Sequence, residues 1–274
     1  MSSKNISEDD YTLFSEFLER RCGIVLGTNK QYLVRSRLSP LMRKYDYASL
    51  TQVINDVING RDRALRCDAI DAMTTNETLW FRDKYPFELL SNDLFPRLSA
   101  KRQTIKIWCA ASSSGQEPFS IAMMAHQYAK SNPSFPGVSI TGTELSTEML
   151  EKCENATYDN LSISRGLTEE HKRQFFDKVG DGTLKIKPEI QRMVNFKSLN
   201  LLDSFAGLGK FDIVFCRNVL IYFAPEVKAN ILQKIASVLS KEGILFLGAS
   251  ESMAGLSTEY DMVRCNPGLY YSKK

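Results

Sequence analysis

The stretch Ile105-Lys106-Ile107-Trp108-Cys109-Ala110-Ala111-Ser112-Ser113-Ser114-Gly115-Gln116-Glu117-Pro118 joins a short apolar run to a helical pattern through a turn of small residues. It reads as a strand, a tight loop and a helix, the junction at which nucleoside ligands dock on open α/β sheets. Small side chains from Ala110 to Gly115 let the backbone approach a ligand, and the first amides of the following helix are free to donate. A pyrophosphate loop would read G-x-G-x-x-G. Here one glycine is followed by the carboxylate of Glu117, which repels a phosphate and attracts a cation. That polarity suits S-adenosylmethionine, with its sulfonium and ammonium groups, better than a dinucleotide. A carboxylate is also favoured in any first helical turn, so Glu117 alone leaves both readings open.

Three other segments carry polar groups where a site would need them. Glu144 closes the strand pattern Val138 to Glu144, where an acidic residue can accept from both ribose hydroxyls; it is equally placed as a helix-entry carboxylate before Ser146. The run Phe211-Asp212-Ile213-Val214-Phe215-Cys216 leads straight into Arg217-Asn218, then an apolar turn with Tyr222. Polar groups just past the carboxyl end of a strand lie at the ligand crevice, although an Asn cap and a core tyrosine would give the same letters. Thr74-Thr75-Asn76-Glu77-Thr78-Leu79-Trp80-Phe81-Arg82-Asp83 packs hydrogen-bonding residues, aromatics and an arginine between the two halves of the chain. Domain junctions commonly hold sites; the alternative is a capped helix start.

The elements that must position these groups follow from periodicity. Residues 1–75 predict a small helical bundle. Ser7 caps an acidic first turn, apolar positions recur at Tyr11, Phe14, Phe17 and Leu18, and Gly23 stops the helix. Three more amphipathic patterns follow, centred on Leu33–Met42, Leu50–Val57 and Leu65–Met73. Residues 76–103 read as a linker and pocket segment. From 104 to 274, strand patterns at 104–110, 138–144, 193–198, 211–217 and 243–249 alternate with helical ones at 118–131, 146–154 and 225–240. That alternation predicts an α/β fold with a mostly parallel, doubly covered sheet. Asp261–Arg264 and Gly268–Tyr271 predict a closing hairpin. Residues 156–192 break the alternation and predict an inserted antiparallel β subdomain, with Gly180-Asp181-Gly182 as a hairpin turn.

Composition narrows the classes. A net charge of +3 over 274 residues does not call for nucleic acid. The basic charge is concentrated, however: ten Lys and Arg between Arg20 and Arg66 face only Asp46, Asp56 and Asp62, a local excess of seven. That favours an acidic partner surface, or else a set of solvated helix faces. The six cysteines lack zinc-ligand spacing, and Cys109 and Cys216 read as buried thiols. With no signal peptide pattern and no apolar run near ~20 residues, the expectation is a reduced cytoplasmic protein without membrane insertion. With two histidines, His126 and His171, the composition argues against a histidine-based triad or metal centre as the basis of the chemistry.

In combination, Thr75-Asn76-Glu77-Thr78 with Phe81-Arg82, Trp108-Cys109-Ala110 with Gly115-Gln116-Glu117-Pro118-Phe119-Ser120-Ile121-Ala122-Met123, and Phe215-Cys216-Arg217-Asn218-Val219-Leu220-Ile221-Tyr222-Phe223 resemble the CheR family of chemotaxis receptor glutamate methyltransferases. The resemblance covers nearly the whole chain. It implies an N-terminal helical domain and a Rossmann-like methyltransferase domain bearing a small antiparallel insertion. It also implies S-adenosylmethionine as methyl donor, S-adenosylhomocysteine as product, and glutamate side chains of chemoreceptor cytoplasmic helices as substrate.

Residue by residue, the resemblance places Asn76, Thr78, Arg82, Ala110, Gly115, Glu117, Glu144, Asn200, Leu201, Arg217 and Asn218 around the cofactor. Arg82 and Tyr222 would act on the substrate carboxyl. The family usually has Asp where this chain has Glu144 and Ser146. Arg35, Arg37 and Arg43 on the basic bundle would dock the receptor helix. In some members, though not all, the insertion around Arg165 and Gly166 binds a tethering peptide at a receptor C-terminus. Two competing readings are a non-catalytic cofactor-binding module that docks on receptors and a nicotinamide-dependent oxidoreductase.

Overall fold

The Ser7 hydroxyl starts the first helix by accepting from Asp10 N–H at 3.0 Å, and Gly23, at φ 76°, ends it in the left-handed region. The computed structural model describes residues 6–274. They form two compact units: one runs to Thr75 and takes in Tyr222–Val227, the other comprises Asn76–Ile221 and Lys228–Lys274.

The first unit contains α1 (Glu8–Cys22), α2 (Gln31–Lys44), α3 (Leu50–Asn59) and α4 (Arg63–Met73). Each turns its apolar stripe inward. Phe14, Leu18, Val34, Leu38, Leu50, Val53, Ile54 and Leu65 are fully buried. Ser49 and Asp62 cap α3 and α4. Arg37 Nη1 donates to the carbonyls of Met73 and Thr74, both at 2.8 Å, closing the C-terminus of α4. Much of the basic excess is used internally: Lys44 pairs with Asp68, Arg61 with Asp56, and Arg66 donates to the carbonyls of Val57 and Ile58. Arg35 and Arg43 remain exposed.

The second unit opens with a turn at Trp80–Lys84. There follow α5 (Tyr85–Leu89), a π turn (Leu90–Leu94) and α6 (Phe95–Ser99). This segment is no free linker. Phe87, Leu90, Leu94 and Phe95 are buried in the same core as Ile107, Phe119, Ile213 and Phe246. Removing such a side chain from water stabilises by roughly 1.5–3 kcal/mol, so the segment is held as firmly as the strands.

The rest alternates as the pattern predicts. In order come β1 (Ile105–Ala110), α7 (Gln116–Ser131), β2 (Val138–Glu144), α8 (Thr147–Asn155), β3 (Thr157–Asp159), α9 (Asn160–Ser164), α10 (Glu169–Phe175), β4 (Phe176–Gly180), β5 (Thr183–Ile186) and α11 (Pro188–Gln191). They are followed by β6 (Val194–Ser198), β7 (Phe211–Cys216), α12 (Pro225–Val238), β8 (Leu239–Leu247), β9 (Tyr260–Arg264) and β10 (Leu269–Lys273). The main sheet has the order β6-β2-β1-β7-β8-β10-β9. Its first five strands are parallel, and β10 and β9 form the antiparallel closing hairpin. β3, β5 and β4 make the small antiparallel sheet of the insertion. β8 begins four residues before the expected 243. Leu239 already pairs with Phe211, and a register shift absorbs the polar Lys241-Glu242 that hid the strand's start.

β1 lies between β2 and β7. The chain fills one side of β1 first and crosses to the other afterwards, so β1 and β7 bracket the point where strand order reverses. Ligands on open α/β sheets bind outside the carboxyl ends of the strands at such a point.

Candidate active site at the strand tips

Register brings four chain segments together in the sheet. Ala110 pairs with Thr143 on one side and Cys216 on the other, Cys216 pairs with Leu247, and Glu144 pairs with Ser198. The residues just beyond are therefore neighbours: the loop Ala111–Gly115, Leu145-Ser146, Arg217-Asn218 and Gly248–Glu251. Backbone strain concentrates here. Of eleven non-glycine residues with positive φ among those described, six (Phe81, Asp83, Lys84, Ala111, Ser113 and Asn218) belong to these segments or to the Trp80–Lys84 turn. Strain of this kind costs of order 1–3 kcal/mol per residue and persists where the surroundings over-determine the backbone.

The loop after β1 is held from several directions. Tyr158 Oη donates to the Ser114 carbonyl at 2.7 Å, Cys153 Sγ to that of Ser113 at 3.1 Å, and Ser113 Oγ to that of Asn76 at 2.8 Å. Gly115 sits at φ 92° with Phe119, Tyr158 and Cys153 around its α-carbon, so a side chain there would be strained. Glu144 Oε2 accepts from Ser113 N–H at 2.8 Å, while Oε1 accepts from Leu145 at 2.8 Å and Ser146 at 3.1 Å. The longer side chain at this position folds back onto amides and ties the β1 loop to the end of β2. Ser146 caps α8 by accepting from Met149 N–H.

Glu117 and Arg217 form the electrostatic centre. Arg217 Nη1 meets Glu117 Oε2 at 2.7 Å, and Nη2 meets Asp83 Oδ2 at 2.6 Å and the Arg82 carbonyl at 2.9 Å. Burial pushes the Glu117 carboxyl up, opposed by Arg217 and then Arg82. Burial alone would lower the Arg217 guanidinium, but Glu117 and Asp83 more than offset it and hold it charged. Two carboxylates, Glu117 and Asp83, thus share one guanidinium. Beneath them, burial raises the thiols of Cys109 and Cys216 well above their ordinary value.

The remaining expected residues fall as follows. Arg82 is half-buried, with Nη1 3.3 Å from the Glu77 carbonyl. Thr78 is half-buried. Asn200 Oδ1 accepts from Leu202 N–H at 3.0 Å, and Leu201 is buried. Their loop is clamped by Lys234, whose Nζ donates to the carbonyls of Leu201, Leu202 and Asp203 at 2.7, 2.9 and 2.8 Å. Tyr222 groups with the helical unit, where its carbonyl accepts from Val25 N–H. Arg37, half-buried, donates through Nη1 to the carbonyls at the end of α4. Arg165 is exposed and its carbonyl accepts from Trp80 N–H, while Gly166, at φ 108°, presses on the Trp80 carbonyl. Close backbone packing therefore accounts for Gly166.

Sequence reasoning missed Asp83, Lys234 and Glu251. Asp83 directly follows Arg82 in the quoted motif. Glu251 lies just past a strand end, where the rule that singled out Arg217 and Asn218 applies equally. Lys234 carried no signal, since a lysine on a helix is ordinary until its carbonyl partners are known.

Comparison with known proteins is consistent along the whole chain. A family model described as "CheR methyltransferase, SAM binding domain" matches residues 76–269, and one described as "CheR methyltransferase, all-alpha domain" matches residues 9–74. The chain is 56% identical to the chemotaxis protein methyltransferase of Vibrio parahaemolyticus, covering 100% of both. It is 49% identical to chemotaxis protein methyltransferase 1 of Pseudomonas aeruginosa, over 97% of this chain and 98% of that one. With the Escherichia coli K12 chemotaxis protein methyltransferase it shares 30% identity over 94% and 89% of the two chains. Among the described residues no helix is long and apolar enough to cross a membrane.

Proposed function

The chain belongs to the CheR methyltransferase family, whose cofactor is S-adenosylmethionine, and we propose that it methylates glutamate side-chain carboxylates on chemoreceptor cytoplasmic helices. The observation that carries this reading is the Asp83–Arg217–Glu117 cluster at the tips of β1 and β7. Its Arg217 side chain is buried and that of Glu117 largely so, while Asp83 stays partly exposed, and carboxylate is in excess over guanidinium, which suits a cationic methyl donor. The donor set fits that cofactor in a second respect. Buried Asn218 Oδ1 and Glu251 Oε1, both acceptors, and Arg217 Nε, a donor, have no hydrogen-bond partner among the described residues, matching an amino-acid end that carries both an ammonium and a carboxylate.

The cofactor supplies an electrophilic methyl on a sulfonium. The protein's task is then positioning. A glutamate carboxylate, with a pKa near ~4.3, is already ionised at neutral pH, so no general base is required, in keeping with a chain of two histidines. Carboxylate and sulfonium lose their charges together, so a site that excludes water favours the step. Arg82 is proposed to orient the substrate carboxylate. It must do so without over-stabilising an anion whose charge disappears in the transition state. Tyr222 shares this proposed role on the strength of the family motif.

Asn76, Thr78, Ala110, Gly115, Glu117, Glu144, Asn200, Leu201, Arg217 and Asn218 are proposed as the cofactor surroundings. Glu144 would reach the ribose only through the loop that it pins. Arg35 and Arg43, exposed on α2, are proposed to dock an acidic receptor helix, as oppositely charged surfaces speed encounter.

The test is incubation with methyl-labelled S-adenosylmethionine and receptor cytoplasmic fragments. Base-labile label on the receptor is the expected result. Tight S-adenosylhomocysteine binding with no label on any receptor fragment would instead indicate a docking module without turnover.

A further inference from the structure

Glu251 is half-buried, four residues past the end of β8. Its Oε2 accepts from the amides of Asn218 and Gly248, each at 2.7 Å. Those amides belong to the turns after β7 and β8, adjacent parallel strands joined by the Cys216–Leu247 pair. One oxygen thus ties two strand tips together and helps hold Asn218 in its left-handed conformation, φ 58°. Gly248 leaves room for this, since a side chain there would collide with Asn218 and Glu251.

The other oxygen is unaccounted for. Glu251 Oε1, Asn218 Oδ1 and Arg217 Nε are the buried side-chain polar atoms without a hydrogen-bond partner among the described residues, and all three fall on this pair of loops. A buried acceptor left unpaired costs about 1–3 kcal/mol, more when charged, and is retained where a donor meets it. Of the neighbouring acids, Glu117 Oε2 and Asp83 Oδ2 meet Arg217, and Glu144 accepts from three backbone amides. Glu251 lies beside this cluster, since the amide it accepts from, that of Asn218, directly follows Arg217.

We infer that Glu251 is a further cofactor-binding residue, whose Oε1, together with Asn218 Oδ1, receives the ammonium at the amino-acid end of S-adenosylmethionine while Oε2 holds the two loops. A charge-assisted hydrogen bond in a water-poor site is the strong kind, and a cationic donor is what a buried carboxylate oxygen selects. The inference rests on the cofactor site proposed above.

Isothermal titration of the full-length protein with S-adenosylhomocysteine and with 5′-methylthioadenosine, which lacks the amino-acid end, separates the possibilities. Glu251→Gln keeps an oxygen for the amides of Asn218 and Gly248 but removes the charge. It is expected to weaken S-adenosylhomocysteine by about tenfold or more and to leave 5′-methylthioadenosine within about twofold. Unchanged S-adenosylhomocysteine affinity, or equal loss for both ligands, overturns the inference. Equal loss would mean that Glu251 only supports the loops. Should Glu251→Gln not fold, Asn218→Ala, which retains the backbone amide for Glu251, is expected to show the same selective loss, and an unselective one overturns the inference. If the wild type binds 5′-methylthioadenosine but gains nothing from the amino-acid end, the inference fails while the nucleoside site stands. If it binds neither ligand, the cofactor site itself is misplaced.

Discussion

Glu117 faces Arg217 across 2.7 Å, with side chains 14% and 1% exposed. One side chain starts α7 and the other follows β7, so a single ion pair spans the two elements that flank the reversal of strand order. Removing one member of a buried pair strands the other's charge. Arg217→Met is expected to destabilise the protein by about 3 kcal/mol, the lower end of the usual 3–5 because Asp83 is 30% exposed. Glu117→Gln, which leaves Arg217 with Asp83, should cost less. Urea denaturation of the two variants checks the ordering.

Arg82, which the family resemblance sets beside the cofactor, is proposed to act chiefly on the substrate carboxylate. Arg82→Ala should therefore lower kcat on receptor fragments by about a hundredfold while changing S-adenosylhomocysteine affinity by less than about threefold. Parallel steady-state kinetics and calorimetry test this, and equal losses in both would remove Arg82 from its proposed role.

Lys234 places three N–H donors on three carbonyls of the loop that carries Asn200 and Leu201. Lys234→Met should loosen that loop and weaken S-adenosylhomocysteine and 5′-methylthioadenosine alike, by about fivefold, equivalent to one modest hydrogen bond. The family resemblance sets Asn200 near the adenine, so an effect confined to S-adenosylhomocysteine would contradict that proposed placement.

The arginines of α2 divide into two kinds. Arg37 closes α4, so Arg37→Ala should destabilise the helical unit by about 1–2 kcal/mol. Arg35→Glu with Arg43→Glu should leave melting unchanged, slow association with receptor fragments and flatten its salt dependence. Thermal melts and stopped-flow association at two ionic strengths distinguish them.

His171 stacks on Phe81 at 4.6 Å, and its Nδ1 accepts from Thr168 N–H at 3.5 Å. Burial lowers its pKa, slightly opposed by Glu170. The folded state therefore binds this proton less tightly than the unfolded chain. Its contribution to stability is full above the ordinary value near ~6.5 and is lost as pH falls from there through the folded value. His171→Gln should give a shallower fall in Tm between about pH 7 and pH 5 than the wild type. His126, also lowered by burial, adds to this slope in the same direction.

Periodicity and strand-end position carried most of the architecture. The apolar run Ile244–Leu247, the small-residue turn Ala110–Gly115 and the Gly180-Asp181-Gly182 hairpin are local signals, and local backbone and burial preferences are written residue by residue. The same logic singled out Glu144, Arg217 and Asn218, polar residues at or just past the ends of buried strands, and Glu117 in the first turn of the helix after β1. Partnership was not legible. That Glu117 pairs with Arg217, that Glu144 turns back onto the β1 loop, that Glu251 accepts from Asn218 and that Asp83 meets Arg217 depend on which strand ends lie side by side, as Arg37 closing α4 depends on how the helices pack. Glu117 and Arg217 are a hundred positions apart in the chain and in contact only because β1 and β7 pair. Charge compensation falls off within a few ångströms, so three-dimensional adjacency, and not residue type, decides whether a carboxylate is a ligand, a cap or a counter-ion.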